Sequence, residues 1–307
     1  MDIIKNIERI DIEPVNICNF NCCFCPHYKL ERKMGVMDLS LFKKIIDEVK
    51  DWNLRYLAIC GFGDPLLDPN IIKKVEYARK NVRKECKVGF NTNASLLTKE
   101  KFTALVKAGL DELRISSYAT NPESFRKLHG SNDFEKTREN IMNLKKIRES
   151  LGASNLMIGM GLLKPPESTE KKDEWYAYWN KYFDRFYDET GEVHNFAGGM
   201  NYKKVYKNKS RLSCERPLSC VMILWNGDVS ICCADYEGKA IFGNVKEKTI
   251  REIIMSPSYQ KMLEIHKKRN FELLPVCDNC DQLVPATLRN RLARFKCRVI
   301  EGRYIGG

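Results

Sequence analysis

No run of 18 apolar residues occurs in the 307-residue chain, which leaves no candidate for a membrane-spanning helix. Its first twenty residues, MDIIKNIERIDIEPVNICNF, alternate charge with Ile and lack the basic start and apolar block of an export signal. The expectation is a cytoplasmic protein with no membrane partner. Cytosolic thiols are kept reduced, so the thirteen cysteines do not read as a disulfide framework and are taken as metal ligands or bystanders. Internal repeats and low-complexity segments are missing too. Nor is positive charge concentrated: the formal charge is +12, but Lys and Arg are spread along the chain as on solvated helix faces, and no nucleic acid is expected to bind. The excess of positive charge suits an anionic substrate or an acidic electron donor and decides neither.

What is present is a regular alternation of apolar and amphipathic runs, the mark of repeated βα units around a parallel sheet. Strands are predicted over 8–15, 55–60, 87–92, 112–117, 156–162 and 192–196. Helices are predicted over 39–50 (capped by Asp38), 69–80 (Pro69 in its first turn), 98–108 (closed by Gly109), 134–150 and 169–189. Six such units close part of a barrel and leave a mouth where the strands end, so the fold class is α/β, a partial (β/α)6 TIM-like barrel. Residues 1–197 are assigned to this barrel, 198–283 to a small second domain and 284–307 to a basic helical tail. The second domain follows a Gly- and Lys-rich linker, AGGMNYKKVYKNKS. It opens with a hairpin, CVMILW and VSICC around Asn226-Gly227-Asp228, and continues with short helices near 249–255 and 257–268.

Cys18, Cys22 and Cys25 form C-x3-C-x2-C directly after the first strand, in the first βα loop at the barrel mouth. Three thiolates fix three irons of a 4Fe-4S cluster and leave the fourth open to a small molecule. Zinc prefers four closed ligands, and no fourth local residue has the usual paired spacing, although Cys23 and His27 are near. The triplet, with Phe24 before its last Cys, resembles the cluster motif of the radical S-adenosylmethionine (SAM) superfamily. That resemblance implies SAM on the open iron, an electron donor of the flavodoxin or ferredoxin type, and reductive cleavage to a 5'-deoxyadenosyl radical. Gly61-Phe62-Gly63-Asp64-Pro65, after the second strand, resembles the family's GGEP segment, which contacts the SAM amino group, with Phe for Gly and Asp for Glu. Gly61, Gly63 and Asp64 are therefore candidate SAM contacts, joined by Asn91 at the end of the third strand and Ser116 at the end of the fourth. Ile158-Gly159-Met160-Gly161 resembles the family's Gly-rich fifth strand loosely, with the expected Glu displaced to Glu167.

Cys214, Gly227 and Cys232 give C-x12-G-x4-C, and Cys277-x2-Cys280 follows a helical insert. On spacing alone a zinc ribbon is a strong rival. The pattern also resembles the SPASM extension, or its shorter Twitch form, which implies that Cys214, Cys232, Cys277 and Cys280 hold an auxiliary 4Fe-4S cluster, with Cys233 an alternative to Cys232. No further cysteine precedes Cys297, so one auxiliary cluster is expected, closed by four thiolates and suited to electron transfer. Cys23, Cys60, Cys86, Cys220 and Cys297 read as small buried apolar residues, with Cys220 or Cys233 as alternative hydrogen-atom donors.

Trp175, Trp179, Tyr182, Phe183 and Phe186 recur at helical spacing and read as core. His194 and Asn195 close the sixth predicted strand and are substrate-contact candidates. The chain resembles small Twitch-type enzymes of the 2-deoxy-scyllo-inosamine dehydrogenase kind, which implies oxidation or epimerisation of a hydroxyl-bearing sugar or cyclitol. Phe196-Ala197, before Gly198, offers no charged group for an amino-cyclitol. The alternative is a peptide or protein maturase, although the first strand begins by about residue 8 and leaves no leader-binding domain ahead of it. A zinc-ribbon protein binding nucleic acid is the third possibility.

Overall fold

The computed structural model describes residues 3–191, 193–201, 205 and 211–283. The basic tail with Cys297, and most of the predicted linker, lie outside the described residues. Six strands run parallel in chain order: β1 Arg9–Ile12, β2 Tyr56–Ile59, β3 Lys87–Thr92, β4 Glu112–Ile115, β5 Met157–Leu163 and β6 Arg185–Gly191. Helices α1 (Leu39–Val49), α2 (Ile71–Asn81) and α3 (Lys99–Lys107) follow β1, β2 and β3. The β4 to β5 connection holds α4 (Pro122–His129), α5 (Phe134–Met142) and α6 (Leu144–Ser150), and α7 (Lys172–Trp179) precedes β6. This is the partial α/β barrel expected from the alternation.

Two expectations are corrected. The sixth strand is Arg185–Gly191 rather than 192–196, and the long helix over 169–189 ends at Trp179. Trp175 and Trp179 are fully buried, and Phe183 packs beside them after the helix has ended, so the aromatic run is core but spans a helix, a turn and a strand. The predicted helix over 134–150 is two helices that meet at Asn143. Helix α4 was not expected, although Asn121 caps it through Ser124 N–H, Pro122 opens it, and Gly130 (φ +60°) closes it in the left-handed region.

The hairpin forms as predicted. Strand β7 (Cys220–Ile223) pairs antiparallel with β8 (Asp228–Ser230), and Gly227 (φ +96°) makes the turn. Beyond expectation, β7 lies parallel on the free edge of β1 and β9 (Ile241–Asn244) pairs with β8, extending the sheet to nine strands in the order β6-β5-β4-β3-β2-β1-β7-β8-β9. The edge of the barrel that would otherwise expose backbone groups is thus covered by the C-terminal segment.

Along β1 the side chains alternate: Ile10 and Ile12 belong to the buried apolar core, while Arg9 and Asp11 line the lumen cavity. One charge is buried among the helices themselves. Lys74 of α2 is fully enclosed and donates to Asp68 Oδ2 and Met37 O, each at 2.5 Å. Burial pulls its ammonium below the ordinary lysine range, with Asp68 opposing. Removing one partner strands the other charge, so Asp68→Ala is expected to cost about 3–5 kcal/mol in urea unfolding. The paired Asp68→Asn, Lys74→Met variant should cost clearly less, and equal losses would show that the ion pair is not what holds this junction.

Candidate functional site

The loop after β1 is stitched to the end of α4: Asn21 N–H donates to His129 O at 3.1 Å and Cys23 N–H to Leu128 O at 3.0 Å. Phe20, Phe24, Phe125, Leu128 and Phe134 form an apolar cluster of their own around Cys18, Cys22, Cys23 and Cys25. Phe24, the aromatic before the last cysteine, packs edge-on to Tyr118 at 5.2 Å. The three thiols of the motif share one environment. Burial raises the Cys22 thiol well above its ordinary value, and Cys25, Cys18 and Cys23 raise it further. Burial also pushes Cys25 up to about 11 and raises Cys18. Buried thiols crowded together, with no cation among the causes of these shifts, are a donor set that a positively charged metal centre would stabilise as thiolates.

His129 stands behind them, fully buried. Tyr118 N–H donates to its Nε2 at 3.1 Å, so Nε2 is the acceptor and the ring hydrogen sits on Nδ1, 3.4 Å from Cys22 Sγ. Burial depresses its pKa to about 3 and keeps it neutral. Nothing in the spacing pointed to this residue; the Leu-His-Gly end of α4 would have, had the helix been recognised.

One cavity of about 290 Å³ in the barrel lumen is lined by Cys18, Cys22 and Cys25 and by all five predicted SAM contacts, Gly61, Gly63, Asp64, Asn91 and Ser116. The glycines have a packing reason in this chain. A Cβ on Gly63 would stand 2.4 Å from Val15 O, and one on Gly61 would stand 2.3 Å from Glu13 Cγ. Asp64 braces the loop: its carboxylate accepts from Leu66 N–H (2.9 Å), Asn93 N–H (2.8 Å) and the Thr92 hydroxyl (2.9 Å). Gly159 of β5 gives room to the Tyr187 ring. Phe62, in the position where the related segment has Gly, packs edge-on to Phe196 (5.8 Å) and Tyr236 (5.9 Å).

The second cysteine group assembles beside the lumen. Cys214 acts on each of the other three thiols. Cys232 is raised by burial, Cys233 and Cys214; Cys277 by burial, Cys280 and Cys214; and Cys280 is pushed up to about 12, chiefly by burial. Cys233 differs, because its sulfur lines the lumen and takes a bond from Arg216 Nη1 at 2.5 Å. A buried histidine recurs here: His266 Nε2 lies 3.3 Å from Cys277 Sγ, and burial lowers its pKa to about 4. The thiols of each group influence one another without converging on one point, and among the described residues no three His, Cys, Asp or Glu side chains could hold a single metal ion.

His194 and Asn195, the predicted substrate-contact candidates, are bonded to the C-terminal segment, and Asn195 also lines a cavity of about 850 Å³. Asn195 exchanges bonds with Asp281 (3.0 and 3.1 Å) and donates to Asn279 O (2.7 Å), and His194 Nδ1 accepts from Gln282 Nε2 at 2.5 Å. They tie the end of the barrel to the segment around Cys280. Cys86 and Cys220 are buried, as expected of small apolar residues, whereas Cys23 and Cys60, expected to be buried too, are half-buried and line cavities.

Residues 12–164 match the radical SAM superfamily and residues 214–281 match SPASM, an iron-sulfur cluster-binding domain. The chain is 25% identical, over 89% of its length and 87% of the relative's, to the tungsten-containing aldehyde ferredoxin oxidoreductase cofactor-modifying protein of Pyrococcus furiosus. It is 20% identical, over 91% and 94%, to the S-adenosyl-L-methionine-dependent 2-deoxy-scyllo-inosamine dehydrogenase of Niallia circulans. Its fold is similar to the crystal structure of BtrN in complex with AdoMet and 2-DOIA (TM-score 0.65, 18% identity, 92% of this chain and 95% of that one). It is also similar to Streptococcus suis SuiB bound to precursor peptide SuiA (0.64, 15%, 84% and 67%). Among the described residues no helix is long and apolar enough to cross a membrane.

Proposed function

Since the chain belongs to the radical SAM superfamily and carries a SPASM iron-sulfur domain, we propose that it oxidises, or epimerises, a hydroxyl-bearing carbon of a small sugar or cyclitol held in its lumen. In this reading Cys18, Cys22 and Cys25 hold the SAM-binding 4Fe-4S cluster, and Cys214, Cys232, Cys277 and Cys280 hold an auxiliary one. The observation that carries it is a lumen cavity whose lining includes the triplet Cys18, Cys22 and Cys25 as well as Cys233, the neighbour of Cys232. A small molecule in this cavity would have both proposed cluster sites near it, which suits an oxidation that hands on a second electron. The chemistry supplied when SAM and the reduced cluster are bound is hydrogen-atom abstraction by a 5'-deoxyadenosyl radical.

The chain's own residues then have separable tasks. Gly61, Gly63 and Asp64 set the loop that SAM contacts, and Asn91 and Ser116 offer polar groups from neighbouring strand ends. Phe62, Phe196 and Tyr236 exclude water from one side of the lumen. The sulfur of Cys233, committed to Arg216, leaves Cys232 as the auxiliary ligand. A flavodoxin or ferredoxin supplies the priming electron.

His129 tunes the first cluster by donating from Nδ1 to Cys22. A donor to a cluster sulfur favours the reduced, more negative state, so His129→Leu is expected to lower the midpoint potential by on the order of tens of millivolts in EPR-monitored titration. An unchanged potential would leave His129 as packing only.

The function is tested with anaerobically reconstituted protein, SAM, a reductant and a panel of carbon-deuterated cyclitols and sugars. Deuterium in 5'-deoxyadenosine together with a carbonyl product supports oxidation, whereas a deuterium-depleted product that keeps its hydroxyl supports epimerisation. A second reading, modification of a peptide, draws on the similarity to SuiB and on a larger cavity of about 850 Å³ beyond Phe196, lined by Met200, Tyr236 and Asn279. Deuterium transfer from labelled peptides alone would favour it.

A further inference from the structure

The floor of the lumen is charged in a way that the barrel's own packing does not use up. Arg9 donates from Nε to Asp11 Oδ1, and Arg114 donates from Nε to Glu112 Oε1 at 2.6 Å. Among the described residues the Nη groups of both arginines take no hydrogen-bond partner. Both lie against aromatic rings: Arg9 Cζ is 5.0 Å from the Tyr56 ring centre, and Arg114 Cζ is 4.1 Å from that of Tyr187 and 5.9 Å from that of Tyr56. A guanidinium anchored through Nε and held by neighbouring rings keeps its Nη N–H groups for a carboxylate or phosphate. Asp11 is 1% exposed, and its Oδ2 has no partner. An unpaired carboxylate oxygen at that depth calls for a donor.

Arg9, Asp11, Tyr56 and Arg114 all line the cavity that contains the cysteine triplet, and Arg216 approaches from the auxiliary side. The lining holds three guanidiniums and two carboxylates; Glu112 pairs with Arg114 through Nε, Arg216 is bonded to Cys233 and Asp64 is committed to the loop after β2, so what stays open is the Nη groups of Arg9 and Arg114 and Asp11 Oδ2.

We infer that this floor is the substrate-recognition site and that it takes an acidic polyol: a carboxylate or phosphate on the free Nη groups of Arg9 and Arg114, and a hydroxyl donating to Asp11 Oδ2. The inference rests on the proposal that the lumen receives a hydroxyl-bearing small molecule, and it narrows that class to anions. Amino-cyclitols, which are cations, fit the floor poorly.

The test is calorimetric binding to the anaerobically reconstituted holoenzyme with SAM and no reductant, using D-gluconate, D-glucose 6-phosphate, myo-inositol and D-glucosamine. At least one acid should bind ten times or more tighter than the neutral and cationic probes; gluconate or the phosphate ester in first place names the anion. Arg114→Gln should weaken the acid at least tenfold, and Lys73→Gln, on the outer surface, should leave it unchanged. Arg9→Gln alone strands Asp11, so the charge-balanced Arg9→Gln, Asp11→Asn variant, checked for full iron content, carries that arm and should lose the acid equally. Equal binding of myo-inositol or glucosamine, no binding of either acid, or acid binding untouched by Arg114→Gln overturns the inference. Because no turnover is involved, acid binding without oxidation would sink the proposed reaction and leave the site, and oxidation of a neutral polyol would do the reverse.

Discussion

Replacing Cys18, Cys22 and Cys25 together by Ala is expected to halve the iron of the reconstituted protein, from about eight to about four per chain, and to abolish formation of 5'-deoxyadenosine. The two losses belong together, because three thiolates leave one iron open and the open position is where SAM would be held. The loop should survive the change. Its backbone bonds to His129 and Leu128 and the ring contacts of Phe20 with Phe125 and of Phe24 with Tyr118 do not involve sulfur. The remaining iron should sit in the second group, and the reciprocal variant with Cys214, Cys232, Cys277 and Cys280 as Ala should keep SAM cleavage while losing product. Iron analysis and chromatography of the nucleoside decide it. A triple variant that kept all its iron, or still cleaved SAM, would remove the triplet from the chemistry.

Much of this arrangement was legible in the sequence because it rests on local rules. The βα alternation, the hairpin at Asn226-Gly227 and both cysteine spacings depend on residues near one another in the chain. What was hidden depends on contacts across it. Phe183 and Phe186 continue a helical aromatic stripe, yet Phe183 follows a 3-10 turn and Phe186 lies on β6, because the chain must re-enter the sheet beside β5. His194 and Asn195 look like polar strand ends, but their partners are about 85 residues away at Asn279, Asp281 and Gln282. The lumen floor was hidden for the same reason. Arg9, Asp11, Tyr56 and Arg114 come from three strands, and no spacing within any one strand shows that their side chains meet.

The least legible residue carries the second large effect: Glu13→Gln is expected to destabilise the whole protein by about 3–5 kcal/mol and to lower occupancy of both iron groups together. Glu13 is fully buried at the end of β1 and accepts from Arg32 at both oxygens (2.6 and 2.8 Å), from Phe62 N–H (3.1 Å) and from Trp225 N–H (3.2 Å). Phe62 belongs to the loop after β2 and Trp225 to the turn after β7, while Arg32 Nε reaches on to Tyr236 O at 2.7 Å. One carboxylate therefore joins the first strand, the β2 loop and the auxiliary segment, and the Gln side chain keeps its shape but leaves Arg32 without its counter-charge. Urea unfolding should show a lower midpoint at unchanged slope, and iron should fall in both groups, unlike in the triplet variant. Adding Arg32→Met should recover much of the loss by removing the stranded cation. If Glu13→Gln instead cost under about 1 kcal/mol, or emptied only one group, the two iron sites would have to be held in register by the β1 to β7 pairing and the Asn195 to Asp281 tie alone.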